Sequence, residues 1–153
     1  YIKNASAARL WHEALNFGLD MRENKNAELL ADMLRERAKT MIQFIEMAKA
    51  VINEPSFYDE KAVEKFVTPS SAIYLKDYLA FLKERGEKDS FENLTNEFLE
   101  KNALKLKDIA QLIRIALTGS SVSPSIFEVM SFAGQKTVLL RLEKFINFID
   151  QGI

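Results

Sequence analysis

Residues 24–53 read NKNAELLADMLRERAKTMIQFIEMAKAVIN. Within them Leu30, Leu34, Ala38, Met41, Ile45, Ala48 and Ile52 recur every three or four positions. At 3.6 residues per turn, that spacing gathers them on one side of a helix. The stretch therefore predicts one long helix over 24–53. Elsewhere no segment alternates apolar and polar residues long enough to predict a strand. Only 5 Gly and 3 Pro interrupt the helical spacing across 153 residues. The expected fold class is all-α.

Working outward, the other helices announce their ends. One runs over 5–17 and stops at Gly18, which can take the left-handed cap conformation. The sharpest break is Asn53-Glu54-Pro55-Ser56, because proline disfavours helix in the residue before it. It predicts two consecutive helical units, 1–56 and 57–153, forming a helical bundle. Asp59 caps a helix over 60–66. Thr68-Pro69 starts another, with proline at the first helical position; it ends at Gly86. Ser90 caps a helix to 101. A further one covers 105–117 and closes at Thr118-Gly119. Ser123-Pro124 is read as the start of a helix to 132, and the last helix fills 135–148.

Composition bounds the function. The chain is 48% hydrophobic and 28% charged, an ordinary globular balance. Cysteine is absent, which excludes disulfides, thiol catalysis and thiolate metal sites. His12 is the single histidine, so a multi-histidine metal site is excluded too. No apolar run exceeds five residues, too short to cross a membrane. No basic, apolar leader opens the chain, and a cytoplasmic location is expected. It begins with Tyr1 rather than Met and is expected to be part of something longer.

Lys and Arg number 21 against 22 Asp and Glu, a net charge of -1. Taken whole, that balance speaks against nucleic-acid binding. By segment it reads differently. Residues 1–57 hold 8 basic and 8 acidic groups, 58–100 hold 6 and 10, and 101–153 hold 7 and 4. An acidic middle thus precedes a basic C-terminal third, which is compatible with local contact to an anion.

No glycine-rich phosphate loop, G-x-S-x-G elbow or H-E-x-x-H is present. The many carboxylates are explained by solvated helix faces and caps, so the chain itself carries no catalytic residues and no metal ligands. Two arginines stand out. Arg37 has Met33, Leu34, Thr40 and Met41 at its three- and four-residue neighbours, and Arg114 has Ala110, Gln111, Leu117 and Thr118. Neither set contains an acid, so neither arginine has an in-helix ion-pair partner. A guanidinium so placed keeps a planar fork of donors for another group. Pairing with a carboxylate of another helix is the competing explanation. The serine-rich stretch 118–128 joins two helices, and the backbone N–H groups of the second could receive a phosphate or a base edge.

Residues 108–130 read DIAQLIRIALTGSSVSPSIFEVM. This run closely resembles the signature of the C-terminal, anticodon-binding region of bacterial glutamyl-tRNA synthetases. There a pattern like A-Q-x-L/I-R-x-A-L-T-G-x-x-x-S/T-P-x-L/I-F-E precedes a glycine and a final helix with R-L-E. Gly134 and Arg141-Leu142-Glu143 stand in those places. Upstream, the 35–41 stretch resembles the family's E-R-x-K-T-L segment. The 58–62 stretch resembles the start of its second unit. The resemblance is collinear over nearly the whole chain, strong over 105–143 and weak over 70–100. Leu112 stands where the family usually has proline, Ser125 where glycine is common, and Asn96 at a site basic in some members.

The resemblance implies roles. Arg37 matches the arginine that reads the third anticodon base and favours cytosine over guanine, as in glutamate against glutamine tRNA. Arg114, Ser123, Pro124 and Ile126 match residues that contact the first two anticodon bases. Such bases are unstacked and can be read at their edges by arginine, by backbone groups and by apolar contact. The implied partners are the anticodon loop of tRNA(Glu) and an N-terminal catalytic domain of the same polypeptide, in a monomer. That domain would attach glutamate using ATP with Mg; its H-x-G-H-like and K-M-S-K-S-like motifs are absent here. The rival reading is a helical protein-interaction module with no RNA role. A glutaminyl-tRNA synthetase of the eukaryotic type fits poorly, since its anticodon region is mostly β-barrel.

Overall fold

A computed structural model describes residues 1–151. All regular structure among them is helical. The helices are α1 (Ala7–Ala14), α2 (Ala27–Arg35), α3 (Met41–Ile52), α4 (Glu60–Phe66), α5 (Pro69–Arg85), α6 (Phe91–Lys101), α7 (Ala110–Thr118), α8 (Ile126–Ala133) and α9 (Gln135–Asp150). Short 3-10 turns follow α1 at Leu15–Phe17 and precede α7 at Leu106–Asp108. The chain divides into two compact units, Tyr1–Asn53 and the residues from Glu54 onward.

In the first unit, Ser6 opens α1 by accepting the Arg9 N–H at 3.2 Å. Gly18 closes the following turn with φ +79°, where any other residue would be strained. Leu10, Trp11 and Ala14 of α1 face Leu30 and Leu34 of α2 and Phe44, Ile45 and Ala48 of α3 in one apolar core. Trp11 packs its ring 4.9 Å from that of Phe44. Its indole N–H donates to Ala27 O at 2.7 Å, so this large side chain is buried with its one polar group satisfied.

The single helix expected over 24–53 is two helices. The chain leaves α2 after Arg35 and re-enters helix at Met41. The cause is a capping pair. Thr40 is extended (φ -128°, ψ 160°), and its Oγ1 accepts the Gln43 N–H at 3.1 Å. Gln43 Oε1 in return accepts the Lys39 N–H at 2.8 Å. The first bond satisfies a donor that the helix start would leave orphaned, and the second ties the preceding residue to the first turn. Arg35 secures the other side of the corner, donating to Ala5 O at 2.6 Å and pairing with Asp32 at 3.2 Å.

The second unit is built around α7. Ile113, Ile115, Ala116 and Leu117 are fully buried, and Leu112 nearly so. Each of these buried Leu and Ile side chains stabilises the fold by about 1.5–3 kcal/mol. α4, α5, α8 and α9 pack against this helix. The caps form as their residues predict. Asp59 accepts the Lys61 and Ala62 N–H groups, Thr68 and Ser71 make a capping box before Pro69, and Ser90 accepts the Asn93 N–H. Between α5 and α6, Tyr78 is buried and hydrogen-bonds Thr95 Oγ1 at 2.7 Å. Thr95 donates onward to Phe91 O at 2.6 Å, which leaves Tyr78 as the donor of the first bond.

Two boundaries of the second unit differ: the helix expected over 105–117 is a 3-10 turn at Leu106–Asp108 followed by α7 from Ala110, and the start of α8 is displaced. Ser123-Pro124 does not begin α8, which starts at Ile126 after Ser125. Ser123 cannot cap it because its hydroxyl is held elsewhere, as described next.

Candidate nucleic-acid interface

Arg37 lies in the corner between α2 and α3, not on a helix face beside an apolar stripe. Its backbone N–H closes the turn onto Leu34 O at 3.0 Å. Ala38 turns inward and is buried, which directs Arg37 and its neighbours Glu36 and Lys39 to solvent. Among the described residues no carboxylate lies within ion-pairing distance of the Arg37 guanidinium. The side chain is an exposed cation on a hydrogen-bonded backbone corner.

In the second unit the structure brings Arg114, Ser123 and Pro124 together. Arg114 sits half-buried on α7, and its Nε donates to Ser123 Oγ at 2.9 Å. Ser123 Oγ donates in turn to Pro124 O at 2.8 Å. The hydroxyl therefore joins the helix to the far end of the loop that follows it. Nine residues separate the two partners.

The near end of that loop is fixed as well. Gly119 ends α7 with φ +78°, and its N–H reaches Ile115 O at 2.7 Å. Thr118 Oγ1 is shared between Arg114 O at 2.8 Å and Ser120 O at 3.2 Å. Ser120 Oγ accepts the Val122 N–H at 3.1 Å. Arg141 of α9 is only 5% exposed and donates Nη1 to Leu117 O at 2.9 Å, satisfying a carbonyl the helix end would orphan. Burial pushes its pKa down and the Glu54 carboxylate pushes it back up; it stays a cation.

The loop is thus a short arch with a tied base. Ser123 and Ile126 are 6% and 3% exposed, and Pro124 is buried. These three residues form the underside of the arch. Its outer surface is Val122, 71% exposed, with the half-buried Ser120, Ser121 and Arg114 beside it. Sequence reasoning passed over Val122; a lone apolar residue inside a run of serines was the available signal. Beyond the arch, Ser125 makes no side-chain cap to α8, so the first N–H groups of that helix have no such partner. A guanidinium, hydroxyls, an apolar tip and the amides of an uncapped helix start can together meet the edges and faces of unpaired bases.

His12 is exposed on α1. Among the described residues no three His, Cys, Asp or Glu side chains gather as a metal site. No helix among them is long and apolar enough to cross a membrane.

Comparison with known proteins places this geometry. A family described as "Anticodon binding domain" matches residues 6–146. Glutamate–tRNA ligase 2 of Campylobacter curvus is 48% identical over 147 residues, covering 96% of this chain and 32% of that protein. Glutamate–tRNA ligase of Geotalea uraniireducens is 35% identical over 158 residues, covering 99% of this chain and 34% of the relative. The chain spans about a third of the length of these relatives. A crystal structure of a glutamate tRNA ligase from Elizabethkingia meningosepticum shares the fold, with TM-score 0.81 at 18% identity over 96% of this chain and 30% of that one. The chain belongs to the anticodon-binding domain family.

Proposed function

We propose that this chain is the anticodon-reading part of a glutamate–tRNA ligase, whose whole form attaches glutamate to tRNA(Glu) using ATP. The observation that carries the reading is the arch between α7 and α8, where Arg114 is aimed by Ser123 beside an exposed apolar tip. In this reading Arg114 and the arch meet the first two anticodon bases, Pro124 and Ile126 shape it from beneath, and Arg37 reads the third. ATP and magnesium belong to the catalytic part of the longer polypeptide. The sequence has no glycine-rich phosphate loop that would cradle a nucleotide. The protein acts in the cytoplasm as a monomer. With a net charge of -1, the chain depends on the rest of its enzyme for most of its grip on tRNA.

An arginine-to-base contact is worth about 1–3 kcal/mol, or about five- to 150-fold in discrimination. A titration with synthetic anticodon stem-loops at low salt tests the proposal. Wild type should prefer a third-base cytosine over guanine by at least about fivefold, and Arg37→Gln should narrow that preference. If folded wild type binds all anticodons alike, the protein-docking reading replaces this one.

A further inference from the structure

The arch is tied to a second part of its own unit, the segment that leads into α4. Asp59 donates its backbone N–H to Gly119 O at 2.8 Å. A Cβ on Gly119 would stand 2.8 Å from Phe57 O and 3.3 Å from Pro55 Cβ. The two backbones therefore pass with room for a hydrogen and no more, and at φ +78° a side chain would be strained in any case. From the other side, Lys144 Nζ of α9 reaches Pro55 O at 3.5 Å and the Glu54 carboxylate at 3.3 Å. One turn earlier on α9, Arg141 holds the end of α7 through Leu117 O. Residues 54–59, the end of α7 and the middle of α9 thus grip the base of the arch from three directions.

We infer that segment 54–59 sets the position of the α7–α8 arch, with Gly119 and Arg141 as the positioning residues that lock the two together. The inference rests on the reading of the arch as an anticodon-contacting surface. Neither residue is available to RNA itself, Gly119 being buried and Arg141 5% exposed. The Val122 side chain at the tip of the arch is open to solvent, while its backbone N–H is held by Ser120 Oγ. A ligand bound at the tip is coupled to segment 54–59 through these base contacts. The Asp59 amide, bonded to Gly119 O, reports that coupling from a residue the RNA need not touch.

Hydrogen exchange of the full 153-residue chain, with and without a synthetic tRNA(Glu) anticodon stem-loop, tests this. Exchange at Asp59 should slow by about threefold or more together with that at Val122. Gly119→Ala should weaken stem-loop binding by about tenfold. Its preference for third-base cytosine over guanine should be unchanged, because Arg37 lies outside the arch. Protection at Val122 without any at Asp59 overturns the inference, as does a folded Gly119→Ala chain that binds like wild type. Absence of any stem-loop binding overturns the anticodon reading itself, a separate and recognisable result. Should Gly119→Ala fail to fold, Lys144→Ala loosens the same segment from an exposed position. It must then reduce the RNA-induced slowing at Asp59, and an undiminished slowing counts against the inference.

Discussion

If Arg114 reads RNA as proposed, Ser123→Ala tests whether Ser123 reads it too or only aims Arg114. The change removes the hydroxyl that accepts from Arg114 Nε at 2.9 Å and donates to Pro124 O at 2.8 Å. A hydrogen bond to a charged group contributes about 1.5–3 kcal/mol and a neutral one about 1 kcal/mol. Arg114 is half-buried and water can replace part of the first bond, so a net loss of about 2 kcal/mol is expected. For a chain of this length that lowers Tm by about 4–8 °C, read by far-UV circular dichroism. Binding should suffer by a different route. An Arg114 no longer held in place must be ordered on binding, at about 0.5–1.5 kcal/mol, so affinity for the stem-loop drops about two- to twelvefold. Arg114→Ala alone should cost about five- to 150-fold. In the Arg114→Ala background, Ser123→Ala should cost no further affinity, since there is no guanidinium left to aim. The double-mutant cycle, measured by fluorescence anisotropy, should give a coupling of about 1 kcal/mol. Additive losses would mean that Ser123 meets the RNA independently, and the positioning argument would be refuted.

The remaining predictions concern the frame that holds the site. Thr40→Ala removes the cap of α3 and should destabilise the chain by about 1 kcal/mol, a Tm loss of about 2–4 °C in a thermal melt. The same change loosens the corner that carries Arg37, so the third-base preference should narrow with Arg37 intact; an unchanged preference would show that the corner's rigidity is irrelevant. Tyr78 is buried and its pKa is pushed up to about 12. Between pH values of about 10 and 12 the folded chain keeps a proton that the unfolded chain loses, so stability falls as pH rises, by about 1.4 kcal/mol per pH unit. Tyr78→Phe should cost about 1 kcal/mol at neutral pH and remove that part of the alkaline slope in urea titrations; a slope equal to wild type would contradict the assignment.

Most of the frame was legible because helix ends are local chemistry. Asp59, Thr68 before Pro69, Ser90, Gly18, Gly86 and Gly119 each mark an end within two or three residues of where they stand in the sequence. The corner at residues 36–40 was missed although Thr40 and Gln43 carry the T-x-x-Q spacing of a capping box. The apolar stripe runs straight through it, because α2 and α3 bury their stripes in the same core and the three-to-four spacing survives the turn. Periodicity reports which residues face a core; it does not report whether one helix or two present them. Phe44, off the expected stripe yet fully buried, shows the change of phase that the second helix introduces.

The candidate residues could be named one by one from the sequence, but the arrangement the structure gives them could not, for a related reason. Ser123 next to Pro124 is a sound local cap signal, and it lost to a partner nine residues away. Arg114 offers Ser123 a charge-assisted bond at 2.9 Å, stronger than a neutral serine-to-amide cap. α8 then starts at Ile126 beside the arch without a side-chain cap. Arg114, without an acid on its own helix, was set apart by that lack; what it holds in its place could only come from the fold. Arg141 lies 24 residues from the carbonyl it satisfies, a pairing no local pattern encodes. The arrangement divides the labour: Ser123, Pro124, Gly119 and Arg141 go into the interior to fix one arch, and Val122 and Arg37 stay outside. On the proposed reading, recognition by a chain of net charge -1 is a matter of a few placed groups, those of the arch being held by hydrogen bonds and close packing. It follows that substitutions beneath the arch should lower discrimination among bases more than they change the salt dependence of binding, whereas a lost surface cation should do the reverse.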